Sequence, residues 1–335
     1  MKGRLNIAEV ARLAGVSTAT VSRVLNGQPL VKERTRQRVL KVINDTNYRV
    51  NAVARNLRRN RTHTIGVIIS NVLSTFYSVI AKAVEDVALR NDYSMVLCNG
   101  GDEPDKEMQY LKVLHENRVD GIVLSPTGKN NEYLRALVSS DVPISIIDRQ
   151  IEGIGCDTVL VNNREASRKA VEFLIERGYR RIGCISGPRD RRTGLERIKG
   201  YMDAHLKRGI PVDEKLIEYG DFSLESGREN AFLLLTNNDI DAIYVANTDM
   251  ATGAYQVIKE RGIGIPDEIG FVMFDDPDWT RLVTPQVTAV SQPVYTIGST
   301  AADLLFKRIN DRRNYIDKEP AKIVLQAKLV VRGSA

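Results

Sequence analysis

The chain has 335 residues, 43% apolar and 27% charged, with a net charge of +6, which fits a globular protein with more than one core. No apolar run is long enough to cross a bilayer, and the start Met1-Lys2-Gly3-Arg4-Leu5-Asn6 leads straight into a capped amphipathic helix with no secretory apolar region, so a soluble, cytoplasmic protein is expected. Cys98, Cys156 and Cys184 lie far apart in or beside apolar runs, and His63, His115 and His205 are the only histidines; this argues for buried thiols and against a transition-metal site.

In chain order, Asn6 is placed to cap a first helix, with Glu9 three residues on as in a capping box and Ile7, Val10, Ala11 and Ala14 on one face. Gly15 ends it where a left-handed residue is wanted, and Ser17 can cap the next helix. In that second helix Val21, Val24 and Leu25 share a face, while Ser, Thr and Arg occupy the other. Helix, tight turn and helix form the unit that reads DNA, and a plain helical hairpin is the alternative. Charge favours the first reading: residues 1–64 hold 14 Lys and Arg against 3 Asp and Glu, a surplus of +11, so the chain's +6 leaves −5 for the remainder. A polyanion-binding module explains such an imbalance.

A third helix is expected from about Glu33 to Asn44, closing a headpiece near Tyr48. Residues 50–60 permit a helix but carry too little apolar surface for a stable isolated one. From His63 short apolar runs alternate with amphipathic helices, the pattern of parallel sheets with crossover helices. The expected strands are Thr64–Ile69, Ser94–Cys98, Gly121–Leu124, Pro143–Ile147, Thr158–Val161, Arg181–Ile185, Ala242–Val245 and Gly270–Phe274, with a further strand-like run at Ile323–Val331. That is too many for one compact sheet, and two doubly wound lobes fit better. In such lobes ligands bind beyond the carboxyl ends of strands, which selects Asp148, Asn247, Asp249, Asp275 and Asp276. Each can instead be an ordinary turn residue.

The motifs Ile7-Ala8-Glu9-Val10-Ala11, Ala14-Gly15-Val16-Ser17, Thr20-Val21-Ser22-Arg23-Val24-Leu25-Asn26-Gly27, Asn51-Ala52-Val53-Ala54-Arg55, Val119-Asp120-Gly121-Ile122, Ile147-Asp148-Arg149, Gly220-Asp221-Phe222 and Gln292-Pro293 occur in this order. With them the chain resembles the lac repressor and purine repressor family of bacterial transcription regulators along nearly its whole length. The resemblance implies an all-α three-helix headpiece with a helix-turn-helix (1–49), a hinge helix or linker (50–60) and a two-lobed α/β core like that of periplasmic binding proteins (61–335). The first lobe would comprise about 61–161 and 293–323, the second about 162–292 and 324–335.

The resemblance further implies that the second helix enters the major groove of double-stranded DNA. Thr18 and Ala19 fall at base-reading positions, Arg23 at a base or backbone contact, and Ser17, Thr20, Ser22, Asn26 and Thr35 at phosphate contacts. Hydroxyls and amides position such a helix, and a bidentate Arg discriminates guanine by about 1–3 kcal/mol. Asn51, Ala54 and Leu57 belong to the hinge, with Leu57 where the family wedges a leucine between base steps. Val50 stands where many members carry Pro, which implies a looser entry to the hinge. A two-fold homodimer on a near-palindromic operator follows, and no leucine-heptad tail for tetramers follows Ile323–Val331.

Effector contacts carried over from the family fall on Phe76, Tyr77, Asp148, Arg191, Thr193, Arg197, Phe222, Asn247 and Asp275. Phe76 and Tyr77 can instead be core, and Arg191 a solvated loop charge. Aromatic, carboxylate, amide and guanidinium groups suit a sugar, sugar acid or sugar phosphate, with an acidic sugar favoured by the Arg191-Arg192 pair and a purine as the alternative. Lobe closure on the effector would alter the order of the hinge. No nucleophile, metal cluster or glycine phosphate loop points to an enzyme, and no cofactor is implied. An exported sugar-binding protein would lack the basic headpiece. A global carbon regulator controlled by a phosphorylated carrier protein stays open, given Tyr295, Lys307 and Arg308 on a late first-lobe helix.

Overall fold

The structure, a computed structural model, describes residues 6–25, 28–46, 48, 61–311 and 319–335. Asn26 and the hinge residues Asn51, Ala54 and Leu57 lie outside the described residues. The chain divides into two compact units, Met1–Thr62 and His63–Ala335.

The first unit contains α1 (Ile7–Ala14), α2 (Thr18–Leu25) and α3 (Glu33–Thr46). The capping box is complete: Glu9 N–H donates to Asn6 Oδ1 at 3.0 Å and Asn6 N–H to Glu9 Oε2 at 2.8 Å. Gly15 takes φ +60°, which lets its N–H and that of Val16 reach back to α1 carbonyls and turn the chain. Val10, Ala11, Ala14, Val21, Val24 and Val39 form the small core.

In the second unit the chain runs through β1 (Thr64–Ile69), α4 (Thr75–Arg90), β2 (Ser94–Asn99), α5 (Pro104–Glu116), β3 (Gly121–Leu124), α6 (Asn131–Ser139), β4 (Ile144–Ile147) and β5 (Asp157–Val161). It then crosses into a second lobe of α7 (Asn163–Glu176), β6 (Ile182–Ser186), α8 (Arg192–Lys207), β7 (Ile217–Tyr219), α9 (Leu224–Asn237), β8 (Ala242–Val245), α10 (Thr248–Glu260), β9 (Gly270–Phe274), α11 (Trp279–Leu282) and β10 (Thr288–Ser291). It returns through α12 (Val294–Asn310) and β11 (Lys322–Leu325) and ends with β12 (Lys328–Val330). The sheets have the orders β11-β5-β4-β3-β1-β2 and β12-β10-β9-β8-β6-β7, every pair parallel except β10 with β12. The two lobes thus repeat one strand order and differ in the direction of the outermost strand, parallel for β11 and antiparallel for β12.

Every residue of β3, β4, β6, β8 and β9 is buried, as expected of parallel strands covered on both faces. Alternate residues serve the two faces: Ile65, Val67 and Ile69 pack with residues of α4 and α12, while Ile68 packs with Leu111 and Leu114 of α5. All eight expected strands form. β7 and β10 escape the sequence reading: β7 has only three residues, and β10, Thr288-Ala289-Val290-Ser291, has a single bulky apolar residue, unlike the four-residue β3, β4 and β8. Ile323–Val331 is a correction: it reads as one strand but splits into β11, paired with β5, and β12, paired with β10. Gln326 and Ala327 carry the chain between the sheets, which alternation along a sequence does not reveal. Among the described residues no helix is long and apolar enough to cross a membrane.

Candidate functional site

In the first unit, burial of Val21 and Val24 turns the opposite face of α2 outward, so Ser17, Thr18, Ala19 and Arg23 are exposed and Thr20 and Ser22 half-buried. Ser17 Oγ accepts the Thr20 N–H at 3.2 Å and caps the helix. Thr35, half-buried, opens α3, where its N–H donates to the Lys32 carbonyl. The expected reading residues that are described therefore share one helix N-terminal region and its outward face, apart from Thr35. An exposed guanidinium with flanking hydroxyls is equipped to donate to phosphates and base edges.

In the second unit, Asp148 directly follows β4 and Asp275 directly follows β9, equivalent places in the two lobes, with φ +65° and +75°. Phe222, three residues beyond β7, has φ +71°. Left-handed backbone is uncommon outside glycine, above all for a bulky side chain, and tends to mark places where the chain is bent to a purpose. The Phe222 ring lies over Gly187, where any Cβ would meet the ring at 2.1 Å.

The first-lobe residues come together. The buried Tyr77 hydroxyl donates to Asp148 Oδ2 at 2.9 Å and lies 3.2 Å from Ser125 Oγ, and Phe76 meets the Tyr77 ring edge-on at 5.0 Å. Burial, then the Asp148 carboxylate, raise the Tyr77 pKa, so its proton stays in place as a donor. Arg149 forks the Asp102 carboxylate at 2.6 and 2.9 Å. Burial pushes the Asp102 pKa up, but the Arg149 fork outweighs it and holds the carboxyl below its ordinary value.

The second-lobe residues gather at the ends of β8 and β9. Arg197, 5% exposed, donates through Nε to Asn163 Oδ1 at 2.8 Å and through Nη1 to the Ala246 carbonyl at 2.7 Å, and its guanidinium lies 3.7 Å from the Phe274 ring centroid. The next residues along those strands are Asn247 and Asp275. Asn247 caps α10, its Oδ1 accepting the Met250 N–H at 2.8 Å. Asp275 accepts from the Gln292 amide at 2.5 Å and the Thr248 hydroxyl at 3.1 Å. Asp276 differs from its neighbour: Arg332 forks it at 2.8 Å through both nitrogens and Thr280 donates to it, so it fastens the C-terminal segment.

A cavity of about 280 Å³ is lined from both lobes, by Asp148, Gln150 and Lys322 of the first and Asn163, Arg192 and Thr193 of the second. Of the nine expected effector residues, Asp148 and Thr193 line it. Arg191 instead crosses between the lobes, donating to the Asp102 carbonyl at 3.3 Å. Sequence reasoning missed Ser125, Asn163, Thr248, Phe274 and Gln292 as partners of the expected residues. The strand-end rule, applied to every expected strand, would have found Ser125 after β3, whereas Gln292 follows β10, a strand the sequence did not show. On α12, Arg308 forks the buried Asp157, and Tyr295 donates to Asp86 but stays 45% exposed, as Lys307 is exposed, so only Arg308 of the suspected docking patch is committed to the fold. Among the described residues no group of three His, Cys, Asp or Glu is placed to hold a metal ion.

A helix-turn-helix unit and a two-lobed α/β unit with polar side chains at facing strand ends define a ligand-responsive transcription regulator. Residues 6–51 match the model of bacterial regulatory proteins of the lacI family, and residues 62–330 that of periplasmic binding proteins and the sugar binding domain of the LacI family. The chain belongs to the LacI family and is a DNA-binding transcriptional regulator. It is 36% identical to catabolite control protein A of Priestia megaterium, over 91% of this chain and 93% of that protein. It is 34% identical to the HTH-type transcriptional repressor PurR of Vibrio atlanticus, over 98% of each. A solved complex of the transcriptional regulator CelR with cellobiose superposes with a TM-score of 0.74 at 31% identity, covering 99% of this chain and all of the other.

Proposed function

We propose that the chain is a homodimeric repressor of a carbohydrate-utilisation operon, released from or held on a near-palindromic operator by a sugar or sugar acid bound between its lobes. Residues 1–49 read the operator through Ser17, Thr18, Ala19, Thr20, Ser22, Arg23, Asn26 and Thr35. Residues 50–60 form the hinge, with Asn51, Ala54 and Leu57 on the minor groove, and residues 61–335 bind effector and partner subunit. The observation that carries the effector reading is the convergence of Arg197, Asn247 and Asp275 at adjoining strand ends of the second lobe, beside an aromatic ring, together with a cavity lined from both lobes, Asp148 and Thr193 among its lining residues. Carboxylates accept from sugar hydroxyls, a guanidinium and an amide donate to them, and aromatic faces cover a ring's apolar side. The cellobiose complex of CelR supports the same chemical class.

Calorimetric titration of the intact protein with hexoses, cellobiose, hexuronates, gluconate and purines tests the reading. One sugar or sugar acid is expected to bind and to change operator affinity. Binding of purines alone would replace the sugar with a purine. Capture of a phosphorylated carrier protein with no response to any sugar would favour a global carbon regulator.

A further inference from the structure

The turn after β2 has two successive left-handed residues, Gly101 at φ +64° and Asp102 at φ +58°. At Asp102 this backbone shape is sparsely populated, and it sends the side chain and the carbonyl to different partners. The carboxylate takes both terminal nitrogens of Arg149, which is 7% exposed. The carbonyl takes Nη2 of Arg191, from the opposite lobe. Arg149 in turn brings Nε to 3.5 Å from Asp148 Oδ2, too far and too poorly aligned to complete a hydrogen bond, so that buried nitrogen has no hydrogen-bond partner.

We propose that Asp102 is a positioning residue of the interlobe site: its carboxylate holds Arg149 against Asp148 while its carbonyl receives Arg191, so one turn sets both the ligand-facing groups and the closed spacing of the lobes. The proposal rests on the reading that Asp148 faces the effector. A ligand hydroxyl that displaces Tyr77 from Asp148 frees the carboxylate to turn toward the waiting Arg149 Nε, and a buried donor gains its partner. Arg191 is then a clasp between lobes, where the sequence alone suggested a ligand contact.

The test compares the intact protein with Arg191→Gln and Asp102→Asn by small-angle X-ray scattering without ligand and by calorimetry with the same hexoses, hexuronates and gluconate. Arg191 is half-buried, so its substitution spares the core. Arg191→Gln is expected to widen the ligand-free lobes and weaken sugar binding about fivefold, as for the loss of one hydrogen bond. Asp102→Asn keeps the carbonyl acceptor but loses the charged fork; it is expected to leave the ligand-free spacing closed while weakening binding by more than Arg191→Gln does, with thermal unfolding recorded to show that it folds. Scattering from Arg191→Gln identical to that of the unmodified chain overturns the proposal, as does abolished binding at unchanged spacing, which would make Arg191 a direct ligand contact. If no compound of the panel binds any variant, the effector class has failed, and the ligand-free scattering still decides this proposal.

Discussion

The two lobes of the core repeat a strand order and place an aspartate in left-handed backbone at the same point, Asp148 after β4 and Asp275 after β9. Their surroundings differ. Asp148 belongs to a run of charges through Arg149 and Asp102 that ends on the other lobe, whereas Asp275 is held by an amide and a hydroxyl. One strand order thus carries two tasks. Neutral partners leave Asp275 free to trade hydrogen bonds with a ligand at little electrostatic cost, while the charged run makes Asp148 sensitive to how the lobes meet.

The largest effect is expected where an aspartate is structural rather than exchangeable. Arg332→Met leaves the buried Asp276 carboxylate only the Thr280 hydroxyl and Arg281 at 3.6 Å, removing the fork that outweighs burial and holds its pKa below the ordinary value. Breaking a buried pair from one end costs about 3–5 kcal/mol, to be seen in urea unfolding. Asp275→Asn, one residue away, should leave stability nearly unchanged but weaken effector binding by about 1.5–3 kcal/mol in calorimetry. Equal losses of binding from Asp148→Asn and Asp275→Asn would break the comparison between the lobes.

Arg23→Ala sharpens it by removing the reading head from the account: discrimination between operator and mismatched DNA should fall by about 1–3 kcal/mol in gel-shift titration, with effector binding by the core unaltered. The smallest effect comes from His205 of the second lobe, whose pKa burial lowers below the ordinary value of about 6.5. Below that pH the unfolded chain binds more protons than the folded one. Stability is therefore level above about pH 6.5 and declines as pH falls through the window beneath it. His205→Gln should flatten that stretch of a urea-midpoint profile.

Much of the fold was legible because its signals are local. Asn6, Glu9, Gly15 and Ser17 act within four residues of themselves, and β3, β4, β8 and β9 are apolar runs bounded by polar turns. The strand-end rule found Asp148 and Asp275 by the same logic. It could not separate Asp275 from Asp276, because their difference lies in Arg332, 56 positions further on. Asn163 beneath Arg197 and Asp102 beneath Arg149 are hidden for the same reason, since each pairing arises only when distant elements meet.

The return of the chain through α12 and β11 has a consequence for biosynthesis. Ile297, Ala301, Leu305 and Ile309 fill the core beneath β3, β4 and β5, and β11 supplies an outer strand beside β5. On the ribosome, the lobe begun at β1 has to wait, incomplete, while the other lobe is made up to β10, and that lobe in turn waits for β12. A transcript cut short before codon 294 would yield a product in which neither lobe is sealed, the proximal one lacking α12 and β11 and the distal one β12 and the Arg332 fork to Asp276, a natural target for quality-control proteolysis.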